Sequence, residues 1–323
     1  VDYSSKRTQL YSLRHFCFEA GALLFVIAPM LPFFAGKGFT PDTLKWSVFV
    51  CAILMGPALY FCVKSTPNGR DCVPPKKEGV VIAVKEIVKN RVLITLLLGL
   101  FFVGASYGLY IGLSYIFADA YLGVGAKLPL VYVLSTLVGI FGAMTVYKLA
   151  IFFEKKTIYV LGVVLSAAAM MGHGLLTPGS ASFIPLVVFT SMIYFGNVMV
   201  LVMVQSIMSD IADYGSLKFG ADRAATYFAM YSFIIKAIVG MGGAVGLAII
   251  GWYGFDASLS EHSTDSIFGL RLAIAYLPAL CLGIAIIFIL KLPLTSRRHL
   301  IIQQRLEQRV QRLAFSKGSA GPQ

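Results

Sequence analysis

Asp210, Asp213, Lys218 and Arg223 lead into an apolar run that carries Lys236 in its interior. Acidic and basic groups at this spacing can pair and unpair, which is the chemistry of a closable mouth. The plain alternative is a solvated charged loop, since exposed pairs contribute under about 1 kcal/mol each. Lys236 is the sharper signal: a charge inside hydrocarbon costs roughly 3 kcal/mol on insertion scales, so an intramembrane ammonium points to a substrate or ion site. Ala229, Ser232, Gly240 and Gly243 share its helical face, which permits close packing or leaves a cavity before the ammonium. The competing reading pairs Lys236 with a structural carboxylate or lets it snorkel to the interface. Arg14, at the start of the first apolar run, carries a fork of donors suited to hydroxyls or carboxylates; it serves equally as a basic anchor at the membrane surface. Glu19, five residues on, either partners Arg14 or belongs to an ion path.

Weaker candidates are Tyr194 with Asn197, which share a face at i, i+3, and Tyr107, Tyr110, Ser114, Tyr132 and Ser135. Sugar sites combine aromatic faces with a few convergent polar groups, whereas hydrogen bonding between packed helices accounts for the same residues without a ligand. No nucleophile–base pair or metal-ligand spacing occurs, so an enzyme is not expected. His15, His173, His262 and His299 are scattered and read as isolated or packed residues. Cys17, Cys51, Cys62, Cys72 and Cys281 read as small core residues, with no disulfide or metal framework. Gly240, Gly242, Gly243 and Gly246 lie inside an apolar helix, with Val245 in the third glycine place of a nucleotide-binding motif, so they read as packing positions; Gly104, Gly108 and Gly112 read the same way.

The elements that must position these groups are membrane helices. Hydrophobic residues make up 58% of the chain and charged residues 13%, with a mean hydropathy of +0.81, where a soluble domain carries about a quarter charged residues. Apolar runs long enough to cross about 30 Å of hydrocarbon fall at 16–36, 45–63, 92–117, 128–150, 157–177, 182–207, 225–252 and 268–291. Of the 27 basic residues, 22 fall on one side of these spans and only Lys37, Lys45 and Lys127 on the other, leaving Lys236 and Arg271 in or at the edge of spans. Basic residues gather in cytoplasmic loops, so both termini and the 64–91 loop are predicted to be cytoplasmic. The net charge of +12 then needs only anionic lipid, and no nucleic-acid partner. Trp46 and Trp252, at span ends, read as interfacial anchors.

Several segments resemble the glycoside–pentoside–hexuronide cation symporters, the melibiose-carrier branch of the major facilitator superfamily. Asp210-Ile-Ala-Asp213-Tyr214-Gly215, Lys218, Gly220, Ser232 and Lys236 resemble that family's loop and eleventh helix. Arg7-Thr-Gln-Leu10-Tyr-Ser12-Leu-Arg14 with Gly21 is similar to its loop between the fourth and fifth helices and the start of the fifth. Glu154-Lys155-Lys156-Thr157 with Gly162, and Pro293-Leu294-Thr295 with His299, Ile302 and Leu306, match its later signatures. One departure stands out: Asp222 occupies the family's usual arginine slot, with Arg223 one place later, a shift of about 100° around a helix that blocks transfer of the family's salt bridges.

The resemblance implies an all-α membrane protein of the major facilitator superfamily, a helical bundle with eight of an expected twelve spans. Residues 1–63 would be the last two helices of the N-terminal half, preceded by a cytoplasmic loop; 64–91 the central cytoplasmic loop; 92–292 the six-helix C-terminal half; and 293–323 a cytoplasmic tail. The first four spans are expected upstream of Val1, and with them the family's main cation-binding carboxylates. The implied function is symport of a sugar, glycoside or uronide with sodium or a proton by alternating access. No cofactor beyond the coupling ion is expected, and the expected setting is a monomer among the lipids of a bacterial inner membrane. Arg14, Lys236, Tyr194, Asn197 and Tyr110 are the candidate substrate-binding residues. Ser232 and Lys236 are those for cation coupling, and Asp210, Asp213, Lys218, Arg223, Arg7 and Lys155 those for a cytoplasmic gate. A lysolipid or amphiphile carrier of the same fold, and a non-transporting truncated membrane protein, are the alternatives.

Overall fold

In hydrocarbon a backbone has no water to bond with, and a helix satisfies its own amides and carbonyls. All regular secondary structure in the computed structural model is accordingly helical among the described residues, which are 3–27, 40–66, 88–219, 223–259, 261–292, 301–302 and 304–305. Among these described residues, eight segments are long and apolar enough to cross a membrane. They are built from α1 (Tyr3–Ile27), α2 (Pro41–Ser65), α3 (Arg91–Ile116) with a π-turn at Phe117–Tyr121, α4 (Leu128–Phe152), α5 (Lys155–His173), α6 (Phe183–Phe219) and α7 (Ala224–Trp252). The last span joins α8 (Thr264–Arg271), a second π-turn at Leu272–Tyr276, and α9 (Leu277–Leu290). The side chains of Thr40, Asn90 and Ser263 cap α2, α3 and α8 by accepting the backbone N–H three residues on, satisfying amides that have no partner within the helix.

Two elements differ from expectation. The first helix begins by Tyr3, ahead of the apolar run, so Arg7 is helical and not in a preceding loop, and Arg14 lies well inside the helix. The sixth runs 37 residues to Phe219, about 55 Å at 1.5 Å per residue, so Asp210, Asp213 and Lys218 stand on a helix end and not in a loop. Hydropathy registers where a helix meets lipid, while the helix itself continues wherever propensity allows. The expected span end at 28–36, residues 67–87 of the central loop, Gly220, Asp222, the 293–300 signature with His299, and the tail beyond 305 lie outside the described residues. The described cysteines are not core residues: Cys17, Cys51 and Cys62 are exposed and Cys281 half-buried. An apolar thiol is tolerated on a helix face turned away from the protein interior.

The glycine stripes are contact surfaces. On α3 a Cβ at Gly108 would lie 2.5 Å from the Val239 carbonyl, and one at Gly112 would lie 2.6 Å from the Gly243 Cα, so α3 and α7 meet backbone to backbone. Gly162 and Gly196 do the same for α5 and α6, a Cβ at Gly162 reaching within 2.7 Å of the Gly196 carbonyl. α1 packs on α4 and α6, and α9 on α3 and α5. Among the described residues α2 has no extensively packed partner helix, and Thr43 and Ser47 are its buried residues. Gly240, by contrast, has open space beside it. We expect Gly108→Ala to destabilise the protein by about 1–3 kcal/mol through overpacking, and Gly240→Ala to leave it unchanged or slightly more stable. Thermal unfolding of both variants in detergent checks the contrast.

Candidate functional site

At the end of the bundle where the basic residues gather, α1 and α6 run antiparallel and are joined by polar side chains. The Arg7 guanidinium grips Asp213 with two donors, Nη1 to Oδ2 at 2.5 Å and Nη2 to Oδ1 at 3.3 Å. Tyr11 Oη lies 2.6 Å from Ser209 Oγ, and Thr8 Oγ1 2.9 Å from Ser206 Oγ. One helical turn before Asp213, Asp210 takes Lys155 Nζ at 2.5 Å from the start of α5. Asp210 and Asp213 therefore pin α6 on two sides, to α1 and to α5. Lys156 donates to the Leu292 carbonyl, tying α5 to the end of the last span. Asn90, fully buried, caps α3 and donates to Tyr227 Oη at 3.4 Å; that hydroxyl packs where a Cβ at Gly215 would come within 2.6 Å. α3, α6 and α7 thus converge at the same end. Lys218 lies with its Nζ 5.8 Å from the Tyr214 ring centre, and Arg223 occupies the N-cap position of α7.

Deeper along the helices, Lys236 sits about 18 Å into α7 at 1.5 Å per residue. It is exposed together with Ser232 and Gly240 and makes no ion pair or hydrogen bond among the described residues. Arg14 on α1 is exposed as well. Its guanidinium lies close enough to Tyr231, one turn before Lys236, to act on that ring electrostatically. Arg14 and Glu19 part company: five residues turn a helix about 140° past a full revolution, and Glu19 is buried at 5% exposure against Gly139 of α4. A Cβ at Gly139 would lie 3.4 Å from the Glu19 carboxyl. The neighbour of that carboxyl is His15, with Nε2 3.7 Å from Oε1.

Tyr194 and Asn197 are half-buried on α6. Tyr110 does not present a free hydroxyl: it is buried, with Oη 3.2 Å from His173 Nε2. Thr190 Oγ1 approaches the same nitrogen at 3.5 Å, and His173 Nδ1 lies 3.0 Å from the Ala169 carbonyl. A carbonyl only accepts, so Nδ1 carries the proton and Nε2 receives the Tyr110 hydroxyl. These groups, with Ser114 and Tyr132, whose hydroxyls are 3.4 Å apart, line a crevice with room for about one water. At the end opposite the basic residues, Arg271 donates to Tyr121 Oη at 2.9 Å and to the Leu176 carbonyl at 3.2 Å. It clasps the last residue of one π-turn from the position just before the other.

Several of these features escape the sequence. Nothing in the spacing of His173, Asn90, Tyr227 or Arg271 announces a role, because each partner comes from another helix.

Residues 1–296 match the model of the MFS/sugar transport protein family. The chain belongs to this family. Among curated relatives within reach of this family chain is the uncharacterized symporter YjmB of Bacillus subtilis, 26% identical over 73% of this chain and 51% of the relative. The lactose permease of Lactobacillus delbrueckii is 24% identical over 87% of this chain and 46% of the relative. The uncharacterized symporter sll1374 of Synechocystis is 29% identical over 50% of this chain and 30% of the relative. The chain spans about half the length of the first two relatives.

Tyr110→Phe removes the donor that His173 Nε2 receives and leaves a buried acceptor with only the longer Thr190 contact. We expect a loss of about 1–3 kcal/mol of stability, read by thermal unfolding in detergent, and a smaller loss for Ser114→Ala on the half-buried side of the crevice.

Proposed function

We propose that this membrane protein is a secondary transporter that moves a sugar, glycoside or uronide together with a sodium ion or a proton by alternating access. Membership of the MFS/sugar transport protein family supports the sugar class, and two relatives bearing the name symporter support coupling. The resemblance to the glycoside–pentoside–hexuronide branch belongs to the same reading. In it, residues 1–63 and 92–292 belong to different halves of the transporter, and the faces of α4 and α6 against α1 form the seam between them. The basic end faces the cytoplasm by the distribution of lysine and arginine.

The observation that carries the reading is the Arg7–Asp213 pair. It bridges this seam at its basic end, with Asp210–Lys155 bracing the same helix from the other side. Charge-assisted pairs of this kind hold one arrangement of two packed bodies and release when the bodies rock. Behind them Arg14 and Lys236 offer two cations, with Ser232 beside Lys236, where hydroxyls, a carboxylate or a coupling ion would be met. Tyr194 and Asn197 stand on the α6 flank. Lys218 and Arg223 contribute charge at the mouth, and Tyr110 supports the polar crevice through His173.

In a host lacking its own uptake of the tested sugars, we expect cation-dependent accumulation of radiolabelled lactose or glucuronate that falls at least tenfold in Lys236→Ala. Arg7→Asp alone is expected to reduce uptake, and the charge exchange Arg7→Asp with Asp213→Arg to restore part of it. Uptake indifferent to Lys236, or an exchange no better than the single variant, would count against the assigned roles.

A further inference from the structure

One face of α1 carries buried polar residues one turn apart: Thr8, Ser12, His15 and Glu19, at 1%, 4%, 8% and 5% exposure. This is an expensive arrangement, since a buried polar group without a partner costs about 1–3 kcal/mol and an unpaired carboxylate more. Two atoms on the stripe, Ser12 Oγ and His15 Nε2, are buried without a hydrogen-bond partner. The stripe starts beside the Arg7–Asp213 pair at the basic end and finishes at Glu19, about 18 Å along the helix from Arg7.

We propose that Glu19 is one proton-binding group of the coupled cycle, reached from the basic end along Thr8, Ser12 and His15. The inference rests on the symporter reading above and chooses the proton as its coupling ion. A carboxylate this deep either finds a fixed positive partner or takes up a proton. The charged and titratable groups facing the pair are few. On α1 itself Arg14 acts on His15 but points to the open face; α4 presents Gly139; and α6 presents Tyr194, close enough to act on Glu19 electrostatically. No permanent cation pairs with Glu19 among the described residues. Among the described residues the Glu19 carboxyl has the His15 imidazole as its near ionisable neighbour, a donor set suited to a proton. The transfer moves a proton from hydronium at the basic end, which is left as water, to a Glu19 carboxylate oxygen, which becomes a neutral acid; His15 accepts it at Nε2 as a transient imidazolium and is neutral again once Glu19 has taken it. Neighbours on the stripe are about 5–6 Å apart, a distance that single waters bridge. Because Glu19 lies on the seam between α1 and α4, gain and loss of its charge changes what that seam costs to keep dry.

The test has a direct and a transport arm, both on the whole gene product. In the purified protein, infrared difference spectra between acidic and alkaline medium should contain a carboxylic-acid C=O band that is missing in Glu19→Gln. A titrating band untouched by that substitution overturns the proposal, and does so whether or not any tested sugar moves; failure of lactose and glucuronate to move counts against the symporter reading alone. In cells, accumulation driven by a pH gradient should fall at least tenfold in Glu19→Gln, which has the shape of the protonated acid, while sugar exchange without a gradient persists. Uptake driven by sodium, without alkalinisation of the medium and equal in wild type and Glu19→Gln, overturns the proton assignment and leaves symport standing.

Discussion

A polar side chain inside a membrane bundle has no solvent to return to, and most of the architecture follows from where such side chains find one another. α1 illustrates the constraint. Its outward face is open, with Leu10, Leu13, Phe18 and Leu24 exposed, and its inward face adds polar ties to the apolar packing of Phe16. Arg7, Thr8 and Tyr11 are each bonded to a side chain of α6. These contacts fix the helix in rotation, and rotation decides that Glu19 turns inward against Gly139 while Arg14 turns outward. Were α1 turned by about 140°, Arg14 would take the inward place that Glu19 holds.

The two ends of the bundle are closed by different means. At the basic end the ties are ion pairs between helices, whose strength changes with water access and with the charge of neighbours. At the opposite end Arg271 bonds to a neutral hydroxyl and a backbone carbonyl, and the Gly179 N–H donates to the Leu122 carbonyl at 3.1 Å. The second set needs no anion to hold it, and it sits where two helices carry π-turns, each with locally altered backbone bonding. Between the ends, backbone-to-backbone crossings of α3 with α7 and α5 with α6 tie the helices that carry Lys236, Tyr110 and Tyr194 into stiff pairs.

Much of this frame was readable in the chain. Eight spans followed from apolar length, and the glycine stripes on α3 and α7 pointed to close packing because a missing side chain inside an apolar helix has few other uses. The unusual charges could be listed as well, yet their partners could not: Arg7 and Asp213 are 206 residues apart, and no local spacing encodes an antiparallel register between two helices. The choice between Arg14 and Glu19 as partners needed the helix rotation. Tyr110 read as either a ligand contact or an interhelical hydrogen-bonding residue, and its hydroxyl is engaged by His173, a residue read as isolated or packed. Helix ends were misjudged at Tyr3 and Phe219 for a related reason, since charge marks the edge of the lipid and not the edge of the helix.

The crossing of α3 and α7 has a mechanical side. Gly242 and Gly243 press directly on Gly108 and Gly112, so α7 cannot slide there without moving α3, although it can tilt. Along a stiff rod, displacement grows with distance from the point of support. Lys236 is six residues from Gly242 and Arg223 nineteen, about 9 and 28 Å at 1.5 Å per residue. Any tilt of α7 is therefore magnified about threefold between the lysine and the mouth of the basic end, and an ångström of give beside Lys236 becomes about three at Arg223.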